Sequence, residues 1–325
     1  MPQVARARQR ALVTAAGPTG AHNAITDVAG VSVGHETVQR PPDIHTGVTA
    51  ILAGDANPKA PVSAGVYAGN GYGKLIGATQ IAELGQLESP IVLTATLSAF
   101  RVADAVVSWM LQRDDCRDVR SFNPVVGECN DGKLSDIRAR PIDESHVAAA
   151  LANAATGPVP QGNVGAGTGM IALGFKGGIG TSSRIVTVAD TQFTVGALVQ
   201  ANFGGVLRVK GGEVPSAWQC QPDVGSCMVV VATDAPLDGR QLSRVARRGV
   251  FGLGRAGASY SHGSGDYGLA VSVTSTATVL GETDLDPIFL ATLDCVEESV
   301  LDALCAAEEV TGFNGLTVPA LSDQL

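Results

Sequence analysis

The residues best placed to do chemistry in this 325-residue chain are Gly225 and Ser226, which stand where a polar loop gives way to an apolar run. Residues 211–224 read as a loop containing glutamine and proline, and Met228-Val-Val-Val-Ala232 reads as a strand buried on both faces. At such a junction the loop gives strain and access while the strand holds the Ser226 hydroxyl, the conditions for an intramolecular N-to-O acyl shift. Glycine at 225 leaves its own carbonyl, the one bonded to the Ser226 nitrogen, uncrowded. By itself a Gly-Ser pair is usually only a turn, so the reading depends on its context.

Two rival constellations are weaker. Cys227 has the more nucleophilic side-chain type, but the next residue of a strand points to the opposite face, and its use would require cleavage one bond later. His262, Ser264 and Asp266 suggest a Ser-His-Asp triad, yet alternate residues of one loop do not readily converge on a distant serine. The five histidines are scattered and His35 reads as a packed or capping residue; the six cysteines form no CxxC pair. No metal and no cofactor is expected. The glycine runs at 162–169 and 177–180 lack the spacing of a phosphate cradle, so nucleotide binding is not expected either.

Elements that would position the serine can be read on both sides. Strands are expected around Val31–Val33, Thr46–Leu52, Arg184–Val188, Thr194–Phe203 and Tyr267–Thr274. Helices are expected at 98–113, with Ser98 as N-cap, at 144–155 opened by Asp143, at 238–251, and at 286–309 with Pro287 in its first turn. The glycine-dense stretch from Gly65 to Gly77 reads as a turn that lines a pocket. Strands and helices do not alternate regularly, which favours helices layered over sheets rather than a doubly wound parallel sheet.

Composition narrows the function. A net charge of −9 and a pI near 5.0 disfavour nucleic acid and anionic membrane as partners. No window reaches eighteen uninterrupted apolar residues and no signal peptide is read at the start, so a cytoplasmic protein is expected. Forty glycines against 4% aromatic residues imply close backbone packing with small side chains.

Beyond these patterns, Gly225-Ser226 followed by Val229-Val-Val-Ala-Thr-Asp-Ala-Pro-Leu237 resembles the DmpA-type L-aminopeptidase/D-esterase family, which includes β-peptidyl aminopeptidases. Supporting stretches run in order through the chain: residues 24–35, Asn123-Pro-Val-Val-Gly127 with Asn130-Asp-Gly132, 162–180, Gln200-Ala-Asn202, Gly263-Ser-Gly-Asp266 and Thr317-Val-Pro-Ala320. The resemblance implies an α+β protein, a four-layer αββα sandwich similar to N-terminal-nucleophile hydrolases. It implies a single domain over 1–325 that cuts itself into an alpha chain, 1–225, and a beta chain, 226–325, with the heterodimers assembling as tetramers. Ser226 would be the nucleophile, Asn202 a donor to the oxyanion, and Ser264 and Asp266 the pair that orients and compensates charge. Asn130 and Lys133 would border the substrate, a peptide or small amide.

The chain departs from that pattern at Lys133, where the resemblance leads one to expect tyrosine, at Thr94-Ala-Thr-Leu-Ser98, and at Tyr72-Gly-Lys74, where an acid is expected. A cation at 133 favours a carboxylate-bearing substrate. The leading expectation is an aminopeptidase or β-aminopeptidase. Alternatives are an amidase or esterase of different specificity and a processed but catalytically idle binding protein.

Overall fold

The computed structural model describes residues 6–13, 17–216, 225–274 and 278–324. Most of the strands belong to two sheets. The first contains β1 (Val31–Arg40), β2 (Ile44–Ala53), β4 (Leu75–Ile76), β6 (Ile91–Ala95) and β7 (Val125–Cys129), ordered β1-β2-β6-β7-β4. The second contains β3 (Val62–Gly71), β5 (Gln86–Leu87), β10 (Gly178–Val188), β11 (Thr191–Asn202), β14 (Ser226–Thr233) and β15 (Gly265–Ser272), ordered β10-β11-β14-β15-β3-β5. Among the described residues three two-stranded hairpins complete the strands: β8 (Ile171–Ala172) with β9 (Phe175–Lys176), β12 (Arg208–Val209) with β13 (Gly212–Glu213), and β16 (Val310–Thr311) with β17 (Thr317–Val318). The helices are α1 (Ala78–Leu84), α2 (Ala99–Leu111), α3 (Glu144–Ala152), α4 (Gly239–Ala256) and α5 (Asp286–Ala306).

The two sheets face each other across an apolar layer that includes Ile51, Leu93 and Cys129 from one and Leu198, Met228 and Leu269 from the other. The outer faces are covered by helices. Val102, Val106 and Val147 of α2 and α3 pack with Val48 and Val126 of the first sheet, and Leu242, Val296 and Val300 of α4 and α5 pack with Val229, Val231 and Ala270 of the second. The result is the expected four-layer αββα sandwich. Each sheet contains one parallel pair, β6 with β7 and β14 with β15, while the other neighbours are antiparallel.

Local chemistry explains the helix ends. Asp143 caps α3 by accepting from the backbone of Ser145 and His146, and Asp238 caps α4 by accepting from Gln241. At the other end of α4, Gly257 takes a left-handed conformation with φ of 108°. Ser98 does not cap α2 through its side chain, contrary to expectation, because it ends a 3-10 turn, Thr96–Ser98, that runs directly into the helix.

The stretch from Gly65 to Gly71 is a strand and not the expected turn. Glycines broke the alternating pattern that would have marked it, and they are there because α4 lies directly on β3. A Cβ at Gly65 would stand 2.1 Å from the backbone nitrogen of Ser243. In β10, a Cβ at Gly180 would stand 1.8 Å from the carbonyl oxygen of Ser299 in α5. The glycine-rich composition is what lets both helices approach their sheet this closely.

Candidate active site

The site forms where the starts of β14 and β15 meet the ends of β7 and β11. Ser226 is the first residue of β14 and pairs with Asn202, the last of β11, on one side and with Gly265 on the other. It is 3% exposed, buried although polar. Across the sandwich, the backbone N–H of Asn130, just beyond β7, lies 3.4 Å from Ser226 Oγ. Asn202 is clamped at both ends of its amide: Nδ2 donates to the Asn130 carbonyl at 3.1 Å, and Oδ1 accepts from the Ile171 backbone at 3.0 Å. The structure therefore brings Ser226, Asn202 and the Asn130 backbone together.

Asn130 contributes through its main chain. Its exposed side chain accepts from the Gly132 backbone at 2.8 Å and braces the turn. Lys133 lies half-buried in that same turn, three residues past the end of the Asn130 contact with Ser226. The Gly225 carbonyl, on the candidate scissile bond, accepts from the Gly265 backbone N–H at 3.3 Å. Sequence reasoning missed this donor, because a backbone group one strand away leaves no mark in the text.

Ser264 and Asp266 form a second pair beside the first. The Ser264 hydroxyl donates to Asp266 Oδ1 at 2.7 Å, and both residues are 1% exposed. The loop before β15 is tied down by Asn70, whose Nδ2 donates to the carbonyls of Ser261 at 3.1 Å and His262 at 3.0 Å, and to that of Ser264. His262 itself is exposed and packs against Tyr72, so the Ser-His-Asp arrangement does not form.

Cys227 points the other way from Ser226, into the layer beneath α4 and α5, and burial pushes its thiol well above the ordinary range. Cys129 sits against Ser226, and burial likewise raises its thiol well above that range. Neither is a thiolate nucleophile at neutral pH. His35 hydrogen-bonds Thr49 and is lowered to about 4 by burial, so it is a packed histidine. Among the described residues no group of three or more His, Cys, Asp or Glu side chains could hold a metal ion.

The most consequential residue not singled out from the sequence is Glu128. It is 2% exposed, two positions before Asn130 on β7, and an acid within the run Val125-Val-Gly-Glu-Cys129 was the available signal. Its carboxylate accepts from the Lys74 backbone at 2.9 Å, from Lys74 Nζ at 3.3 Å and from the Thr96 hydroxyl. A Cβ placed on Gly73 would stand 3.2 Å from Gly265 Cα and 3.4 Å from Glu128 Oε1, which sets this carboxylate beside the strand start that pairs with Ser226.

A sandwich of this layering, with a buried serine at the start of a central strand, defines the N-terminal-nucleophile class of hydrolase folds. The chain belongs to peptidase family S58, whose model matches residues 23–318. It is 39% identical to the beta-peptidyl aminopeptidase BapA of Sphingosinicella microcystinivorans, over 94% of this chain and 87% of that protein. Among solved structures it resembles the L-aminopeptidase D-Ala-esterase/amidase of Ochrobactrum anthropi, described as a variant of the Ntn hydrolase fold, with a TM-score of 0.88, 40% identity, and coverage of 98% of this chain and 95% of that one. It also resembles a Burkholderia sp. beta-aminopeptidase, with a TM-score of 0.90, 38% identity, and coverage of 97% and 95%. The chain is a peptidase of this family, and the expected class and fold are borne out.

Proposed function

We propose that the chain is a precursor that cleaves itself between Gly225 and Ser226, and that the mature enzyme is a β-aminopeptidase with Ser226 as N-terminal nucleophile. The observation that carries this is the position of Ser226: a buried hydroxyl at a strand start, with the Asn130 N–H 3.4 Å from Oγ and the clamped Asn202 amide opposite. In processing, Oγ attacks the Gly225 carbonyl carbon, the bond to the Ser226 nitrogen breaks as the acyl group moves to oxygen, and water hydrolyses the resulting ester. This frees the Gly225 carboxylate and the Ser226 α-amine. The Gly265 N–H already bonded to that carbonyl would stabilise its developing negative charge.

In turnover the freed α-amine, with an ordinary pKa of about 7.7 to 8.0, accepts the Oγ proton as Oγ attacks the substrate carbonyl. The proton passes to the leaving amine, and water then hydrolyses the acyl-enzyme. Asn202 Nδ2, with the Asn130 N–H, is the donor set for the oxyanion. Ser264 and Asp266 hold the charge balance next to the new amine. Glu128 receives the substrate's own ammonium group, which makes the enzyme a trimmer of amino termini. The relatives named as β-aminopeptidases support a β-amino substrate.

The two fragments stay associated as a heterodimer, because β14 of the second lies between β11 of the first and β15. Assembly of heterodimers into a tetramer rests on the family resemblance. A cytoplasmic location is supported by the five cysteines among the described residues, which are free and buried. The test of activity is a panel of β-alanyl, L-alanyl and N-acetyl-β-alanyl anilides offered to processed enzyme. The proposal expects preference for the first and loss of the last; efficient cleavage of the acetylated substrate would instead support an amidase of different specificity.

A further inference from the structure

We infer that Lys74 is a resident stand-in for the substrate's amino group: its Nζ occupies the carboxylate of Glu128 in the resting enzyme, and a substrate ammonium must displace it. The inference rests on the reading of Glu128 as the ammonium acceptor. The antiparallel ladder between β4 and β7 pairs Leu75 with Gly127, and one step further along it Lys74 comes opposite Glu128. From there Lys74 binds the carboxylate twice, through its backbone N–H at 2.9 Å and its Nζ at 3.3 Å.

The partners of Glu128 divide by mobility. The Lys74 backbone and the Thr96 hydroxyl belong to the framework and fix the carboxylate. The Lys74 ammonium sits on a flexible four-carbon stem, and its side chain is 36% exposed while that of Glu128 is 3%. A carboxylate this buried needs a counter-charge, and Lys74 supplies one when no substrate is bound. Nζ can swing to water and be replaced by another ammonium, leaving the other two bonds and the local charge unchanged. Lys74 thus sets specificity in two ways: it weakens binding of every free-amine substrate by competition, and it closes the subsite to groups that bring no positive charge.

The test compares β-alanyl p-nitroanilide with propionyl p-nitroanilide, which lacks the amino group, on processed wild-type, Lys74→Met, Lys74→Arg and Glu128→Gln enzymes. Removing the resident cation should lower KM for the β-alanyl substrate about tenfold relative to the propionyl one, with a larger effect at low ionic strength. Lys74→Arg keeps a cation and should raise that KM, because its forked guanidinium holds a carboxylate more firmly. If Lys74→Met raises KM for the β-alanyl substrate or moves both substrates alike, Lys74 is not a competitor and the inference fails. Glu128→Gln separates the two readings: a raised KM for the β-alanyl substrate alone upholds the ammonium subsite whatever Lys74 does, and an unchanged ratio overturns the subsite itself.

Discussion

Asn202 and Ser226 face each other as the terminal pair of the antiparallel ladder between β11 and β14, so one end of that ladder holds both the proposed nucleophile and the proposed oxyanion donor. The Asn202 amide is fixed by Asn130 on one side and Ile171 on the other, so it can act without reorganising. Replacing Asn202 by Ala should reduce kcat roughly 10²- to 10³-fold, as loss of one oxyanion donor does elsewhere. Steady-state kinetics on protein whose circular dichroism matches wild type checks this, and a change confined to KM would remove Asn202 from the role.

Ser264 and Asp266 should matter for both processing and turnover. Ser264→Ala removes the hydroxyl that donates to Asp266 at 2.7 Å and should slow turnover by about 10²-fold, within the range of acid–base contributions. The conservative Ser264→Thr keeps a hydroxyl and should recover part of the rate. Equal losses in both variants would mean that packing, not the hydroxyl, is what matters.

A buried ionic cluster joins the two prospective fragments. Glu298 of α5 accepts from Arg184 at 2.6 Å, Arg8 at 2.9 Å and Asn23 at 2.7 Å. Burial pushes the Glu298 carboxyl up, but the Arg8 hydrogen bond, the Arg184 charge and Asn23 outweigh it and hold the pKa below its ordinary 4.5. A depressed carboxylate stabilises the fold above its unfolded value, and that contribution is lost as pH falls through the lower folded value. Glu298→Ala leaves Arg184 buried with its charge uncompensated and should destabilise the protein by about 3–5 kcal/mol in urea denaturation near neutral pH. A loss under about 1 kcal/mol would contradict the role assigned to the cluster.

Asp131 and Lys176 pull stability in opposite directions with pH. Burial pushes the Asp131 carboxyl up to about 7, with the Thr46 hydroxyl opposing, and burial lowers Lys176 to about 7. For Asp131 the folded state holds the proton longer than the unfolded chain, so its contribution declines as pH rises from the ordinary carboxylate range to about 7. For Lys176 the folded state releases its proton earlier, so its contribution recovers as pH rises above about 7. On the Ser226→Ala background, which should stay a single chain, Asp131→Asn should gain stability relative to its parent between pH 5 and pH 8, by several kcal/mol at most. Parallel pH profiles for the two proteins would show that Asp131 is not carrying a buried charge.

Much of this arrangement was legible in the text, and the omissions have physical causes. The apolar run after Ser226, the acidic caps of α3 and α4 and the stripe on α5 gave their elements because each is a local pattern. β3 was hidden because its glycines answer to α4, a tertiary neighbour. Glu128, Arg184 and Lys176 lie in runs that read as ordinary strand and loop, and what makes each unusual is burial, which no single stretch records. Asn130 is a residue the sequence singles out, yet its backbone rather than its side chain meets Ser226. Lys74 was noticed as a departure from a family pattern, while its partner came from the opposite strand.

Intact-mass analysis of the purified protein under denaturing conditions tests the central claim most directly. The account predicts two polypeptides in equal amounts, the smaller beginning at Ser226, and a single chain of 33.0 kDa for Ser226→Ala. A wild-type protein that hydrolyses amides as one uncut 33.0 kDa chain would contradict it.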